Sequence, residues 1–90
     1  MQKRLHVYYT GSVQGVGFRF TVERTASSFG LSGWVKNSGD GRVEAVVEGE
    51  EPGLESFRKK ISETFDGYIR QADTVSGEAT GEFGSFEIRF

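Results

Sequence analysis

Hydrophobic positions along the chain change period in a definite order. Leu5, Val7 and Tyr9 alternate with His6 and Tyr8, the two-residue period of a strand, predicted over about residues 3–10. Beyond a run of glycines, Phe18, Val22, Ala26 and Phe29 fall on one side of a 3.6-residue helix, and Gly30 is placed to end it. Next, "LSGWVKN" and "GRVEAVVEGE" flank "SGDG", and a Gly/Asp cluster between β-type runs reads as a hairpin. In its second arm Val43, Ala45 and Val47 are expected toward the core, with Glu44 and Glu48 toward water. Pro52 has no N–H to leave unpaired in a first helical turn, and Leu54, Phe57, Ile61 and Phe65 then recur at helical spacing. Glu50, Glu51 and Glu55 precede Arg58, Lys59 and Lys60, an order that complements the helix dipole. The stretch 66–79 is polar and weakly periodic, with "ADTVSGEA" as a solvent-facing strand. Phe86, Ile88 and Phe90 alternate with Glu87 and Arg89 as a last strand.

The order β-α-β-β-α-β with one more C-terminal strand predicts an α+β, ferredoxin-like sandwich: a mainly antiparallel sheet carrying both helices on one face. Residues 1–90 are expected to form a single domain. Such a plan serves enzymes, RNA binders and regulatory modules alike, so function has to come from a site.

Composition narrows the choice of site. Thirty-six per cent hydrophobic residues, eight Phe and mixed charge describe a globular chain. Eleven Lys plus Arg against thirteen Asp plus Glu leave a net charge of −2, too little to draw the protein to nucleic acid or an anionic membrane, so any anion site must be local. Without cysteine, thiolate nucleophiles and thiolate zinc sites are excluded, and one His cannot build a histidine metal cluster. No apolar run approaches the ~20 residues of a membrane span, and "MQKRLHVYYT" lacks an apolar signal core. The expectation is a mature, cytoplasmic monomer with no membrane or nucleic-acid partner.

The glycines of "TGSVQGVGFRFTVER" are the feature that asks for chemistry. Between a strand and a helix, Gly15 and Gly17 let successive backbone N–H groups converge, because they accept angles a side chain forbids. The free N–H groups and dipole of the helix start favour an anion. Arg19, in the first turn, offers a planar fork of donors to a pair of phosphate oxygens. The residues alone admit two readings, a small phosphate cradle or a tight turn followed by a solvent-facing arginine. The loop satisfies neither the Walker A spacing nor the dinucleotide fingerprint, since Phe20 stands where a third glycine belongs.

"GSVQGVGFR" from Gly11 to Arg19, "GWVKNSGDGRVEAVVEG" from Gly33 to Gly49 and the closing "FGSFEIRF" together resemble the acylphosphatases, in that family's order and spacing across nearly the whole chain. The resemblance implies hydrolysis of the carboxyl–phosphate bond of small acyl phosphates, with no metal or other cofactor. It implies that the loop Gln14, Gly15, Val16, Gly17 and Phe18 binds phosphate through backbone N–H groups, that Arg19 completes the site, and that Asn37 orients the attacking water. Chemistry agrees, because a carboxylate leaving group has a conjugate-acid pKa of about 4 and departs without a general acid. Phe20-Thr21 and the proline-free stretch 66–76 depart from the family's usual pattern only at the periphery.

Other features have plainer readings. Asn37 beside "SGDG" is also a common turn residue, Lys36 is expected on the outward strand face, and Ser38 can bond locally and steady Asn37. His6 is read as a sheet-face residue and Trp34 as packing, while the side of Phe20 is left undecided. Two alternatives to the enzyme stand: a phosphate or carbamoyl phosphate binding module, and an RNA-binding sheet using Tyr8 and Trp34, against which the acidic Glu44 and Glu48 argue.

Overall fold

The computed structural model describes all 90 residues. Strand β1 (Gln2–Gly11) leads through the glycine loop into α1 (Phe18–Ser28). The hairpin β2 (Ser32–Asn37) and β3 (Val43–Glu50) feeds α2 (Glu51–Thr64), and β4 (Ile69–Glu78) and β5 (Phe86–Arg89) complete the chain. The sheet order is β4-β1-β3-β2-β5. All neighbours are antiparallel except β2 and β5, which run parallel. This is the expected ferredoxin-like plan, with β5 as the added C-terminal strand.

Register explains why one face became the core. Leu5 pairs with Val47, Val7 with Ala45 and Tyr9 with Val43, so the apolar sets of β1 and β3 point the same way, and a slip of one residue would turn them out. Val35 of β2 lies opposite Ala45 and joins the same layer. Phe18, Val22 and Ala26 of α1 and Leu54, Phe57 and Ile61 of α2 close onto it in a single apolar cluster, which puts both helices on one face. Edge-to-face and tilted ring contacts, Tyr9 to Phe18 at 5.0 Å and Phe18 to Phe65 at 4.6 Å, tie β1, the start of α1 and the end of α2 together.

Helix ends refine the expected stripe. The N–H of Gly30 donates to Ser27 O at 3.1 Å and that of Leu31 to Ala26 O at 3.0 Å, the paired bonds of a Schellman stop. The helix therefore closes before Phe29, which caps it and stays exposed instead of extending the buried stripe. Phe65 likewise caps α2, but is buried. Strand β4 starts earlier than the expected "ADTVSGEA", at Ile69, and ends at Glu78; it is an exposed edge, paired only with β1.

The expectation that Glu48 faces water is wrong. Its side chain does leave the helix layer, yet only 1% of the residue is exposed. The chain from β4 to β5 must cross the outer face of the sheet, from one edge to the other, and it covers Glu48 on the way. Thr80 N–H donates to the carboxylate at 2.9 Å, Thr80 Oγ1 at 3.0 Å and Gly81 N–H at 3.1 Å, while Arg4 Nη1 lies at 3.5 Å. Burial alone would raise the Glu48 pKa; these donors more than offset it, and the pKa is lowered. Glu44, on the same face, is half-buried and accepts from Tyr8 Oη at 2.9 Å, with His6 Nε2 at 2.6 Å, so that face is occupied by a polar network.

Removing the buried acceptor in Glu48→Ala strands the Thr80 and Gly81 N–H groups and leaves Arg4 only its exposed partner Glu82, with an expected cost of about 3 kcal/mol in urea denaturation at neutral pH. A depressed carboxylate pKa contributes stability above the unfolded value of about 4.3 and loses it as pH falls through the lower folded value. The stability difference between the natural chain and Glu48→Gln is therefore expected to be largest near neutral pH and to shrink as pH falls below about 4.3.

Candidate active site

Two buried side chains pin the loop between β1 and α1. Val13 is sealed beneath it and Phe18 begins the helix inside the core, leaving Gln14, Gly15, Val16 and Gly17 exposed between them. Gly15 has φ +80° and Gly17 φ +74°, whereas Val16, like every non-glycine residue, keeps a negative φ. Such alternation turns neighbouring N–H groups to one side, as in anion-binding nests. Gly17 is also the cap of α1 and has no side chain to fill that role. The N–H groups of Gln14 through Phe18 donate to no acceptor in the protein, and the positive end of the α1 dipole adds to them.

The second wall comes from the hairpin. Asn37 ends β2, half-buried, and its Oδ1 is buried with no hydrogen-bond partner. An unpaired buried carbonyl costs about 1–3 kcal/mol, which sets this oxygen apart from the other buried polar atoms of the chain. The turn after it is tightly tied. Ser38 N–H donates to Arg42 O at 2.7 Å, and Asp40 accepts from Arg42 N–H at 3.2 Å and Nε at 2.8 Å. The Arg42 bonds hold the Asp40 carboxyl below the ordinary aspartate range.

Gln14 joins the two walls. Its Nε2 donates to Ser38 O at 3.0 Å and to Arg42 O at 2.9 Å, so its amide spends both hydrogens on the hairpin turn and sets the loop against Asn37. Arg19 supplies the third side: Nη1 donates to Arg89 O at 3.4 Å and Cζ stands 4.8 Å from the centre of the Phe90 ring. A guanidinium has five donors, so the fork keeps capacity for an anion.

These groups meet in a cleft of about 240 Å³, lined by Gly15, Gly17, Arg19 and Asn37 together with the apolar Val13, Phe18, Phe20, Ile88 and Phe90. The side chains of Gln14 and Val16 lie off the cleft. A larger cleft of about 710 Å³ between α2 and β4 mixes Lys3 and Arg58 with Glu51, Glu55 and Glu78. It has neither an array of free donors nor an unpaired buried polar atom, so the smaller cleft is the candidate site. Lys36 stays outside on the far face of the sheet, 5.4 Å from the Trp34 ring, and His6 is engaged there by Glu44. Sequence periodicity missed Ile88 and Phe90 as cleft residues: only the long-range pairing of β5 with β2 brings them beside Arg19.

Comparison with known proteins identifies the family and the fold. The acylphosphatase family model matches residues 5–88. An acylphosphatase of Syntrophus aciditrophicus is 39% identical over 94 aligned residues, covering 100% of this chain and 95% of that protein. A shorter alignment, 65% identical over 46 residues, covers 51% of this chain and 46% of an acylphosphatase of Trichormus variabilis, so the chain spans under half the length of that relative. The crystal structure of the Bacillus subtilis acylphosphatase superposes with a TM-score of 0.91 at 33% identity, over 98% of this chain and 99% of that one. The match runs from β1 through β5 and takes in every wall of the cleft: this chain belongs to the acylphosphatase family.

Proposed function

We propose that the protein hydrolyses small acyl phosphates to a carboxylate and inorganic phosphate, and that it does so at the cleft between the β1–α1 loop and the end of β2. The observation that carries this reading is the meeting, at one place, of unpaired backbone donors, the Arg19 fork and the unpaired Asn37 oxygen.

The N–H groups of Gln14 through Phe18 and the Arg19 guanidinium take up the non-bridging phosphate oxygens and stabilise the charge they carry in the transition state. Asn37 Oδ1 accepts a hydrogen bond from a water and holds it in line with the leaving oxygen. An amide is no base at neutral pH, so its part is orientation. The water oxygen bonds to phosphorus as the phosphorus–acyl oxygen bond breaks, and the electron pair departs with the carboxylate. One water proton passes to a phosphate oxygen and the other stays on the incoming oxygen. Neither acid nor metal is required by this sequence, because the leaving carboxylate is already weakly basic.

Three outcomes test it. Benzoyl phosphate, followed by its ultraviolet absorbance, is expected to be hydrolysed at an undiminished rate in excess EDTA; loss of turnover on chelation would refute the metal-free step. Arg19→Gln is expected to lower kcat/KM about a thousandfold and to weaken inorganic phosphate binding by calorimetry, since the fork acts on ground and transition states alike. In Asn37→Ala, kcat is expected to fall a hundredfold or more, about 3 kcal/mol, with phosphate affinity nearly unchanged. A folded Asn37→Ala protein with near-normal kcat would remove the water-positioning role.

A further inference from the structure

The two edges of the sheet differ. Strand β5 ends one of them with four residues, whereas β4 ends the other with ten and contains no proline. Its only break in register with β1 falls at Arg70, near its start. Along its free side β4 presents backbone N–H and C=O groups that β1 does not use, without the shortness or proline that commonly blunts such an edge. Val75, in its second half, is 71% exposed, the one large apolar side chain in any strand left mostly in water. Arg70 and Glu78, near its two ends, make no ion pair within the chain.

Symmetry restricts what can cover this edge. Two copies joined β4 to β4 about a two-fold axis form a closed pair, while a joint from β4 to the short β5 of a second copy is head-to-tail and does not close at two. In an antiparallel ladder, opposite residues both point their N–H and C=O groups across the gap or both point them away, and the direction alternates along each strand. A symmetric pair of β4 strands must therefore set one residue opposite its own copy. With Asp73 on the axis, two like charges meet directly, which is destabilising. With Val75 on the axis, Glu78 lies opposite Ala72 and neither Arg70 nor Glu78 gains a charge partner. With Thr74 on the axis, residues 71–77 pair throughout, Thr74 meets Thr74, and Arg70 comes opposite Glu78 of the second copy, twice by symmetry. We propose that the protein forms a homodimer through this edge, β4 antiparallel to β4 with Thr74 on the two-fold axis, in place of the monomer expected from the sequence. The two five-stranded sheets become one, and Val75 lies opposite Asp73 of the second copy, shielded by the new strand. The 240 Å³ cleft borders β2 and β5, at the far side of each sheet, so both clefts stay open.

The chain has no cysteine, so one introduced thiol reports where the axis lies. Thr74→Cys is expected to oxidise to a disulfide-linked dimer, because its own copy stands opposite at bonding distance. Gln71→Cys, more exposed on the same strand, stands opposite Gly77 of the second copy and about 20 Å from its own copy, and is expected to remain uncrosslinked. Sedimentation equilibrium of the natural chain is expected to show monomer and dimer. Glu78→Arg and Arg70→Glu are each expected to weaken the dimer about tenfold, and the two together, which exchange the charges, to restore it. Equal crosslinking at positions 71 and 74 overturns the proposal, as does a natural chain that stays monomeric up to about 1 mM. If Thr74→Cys does not fold, the charge exchange decides: a dimer indifferent to the single changes, or not recovered in the double variant, overturns it.

Discussion

In the parallel ladder of β2 and β5, Lys36 stands opposite Arg89, which brings the C-terminal ends of both strands out at the same edge of the sheet. Asn37 and Phe90, the next residues along, are therefore neighbours through backbone geometry alone. Strand β2 is held at the same time by its antiparallel partner β3, so its end cannot drift. Against this edge lies the start of α1, because Phe18 is buried against Tyr9 and Phe65. The position of Arg19, one residue on, follows from that of Phe18, and its bond to Arg89 O joins helix and strand. Apart from the glycine loop, the walls of the cleft thus lie at or near the ends of regular elements anchored in the core.

That arrangement has one weak point, the chain from β4 to β5. It starts at one edge of the sheet and has to deliver β5 to the other, a crossing that brings backbone donors onto the outer face and needs acceptors there. Glu48 meets the need midway. A carboxylate there accepts from the Thr80 and Gly81 N–H groups while Arg4 offsets its charge, so a residue that alternation assigns to solvent becomes the anchor of the crossing. Its distance from Asn37 along the chain hides the connection. Losing it would loosen β5, and with β5 the carbonyl and ring that border Arg19.

This explains which parts of the molecule were legible in the chain. Leu5, Val7 and Tyr9, or Leu54, Phe57 and Ile61, announce their elements because burial on one face imposes a period that any window of residues shows. Gly15, Gly17 and Arg19 are equally local, since positive φ and a helix start leave their mark within a few residues. Phe29 misled because its period is right while two hydrogen bonds at Gly30 and Leu31 stop the helix first. Glu48 and Phe90 could not be placed from neighbours at all, for what surrounds them arrives from distant segments. Gln14 is a mixed case: its loop was evident, but its amide turns toward Ser38 and Arg42, and its side chain thereby holds the cleft's shape.

The distribution of unpaired polar groups carries the functional argument further than any motif. Folding pairs buried polar atoms wherever it can, and this protein does so at some length on the outer face of its sheet, where Glu48 and Glu44 are both engaged by several donors. At the cleft the opposite holds. The loop donors meet no acceptor in the protein, and the buried Oδ1 of Asn37 has no partner, although Gln14, close by, commits both amide hydrogens to the neighbouring turn. A chain able to satisfy a buried carboxylate with backbone from far along the sequence has the means to satisfy an asparagine oxygen at a strand end. Unpaired donors and an unpaired acceptor at one cleft are what the proposed binding of an anion and a water asks for.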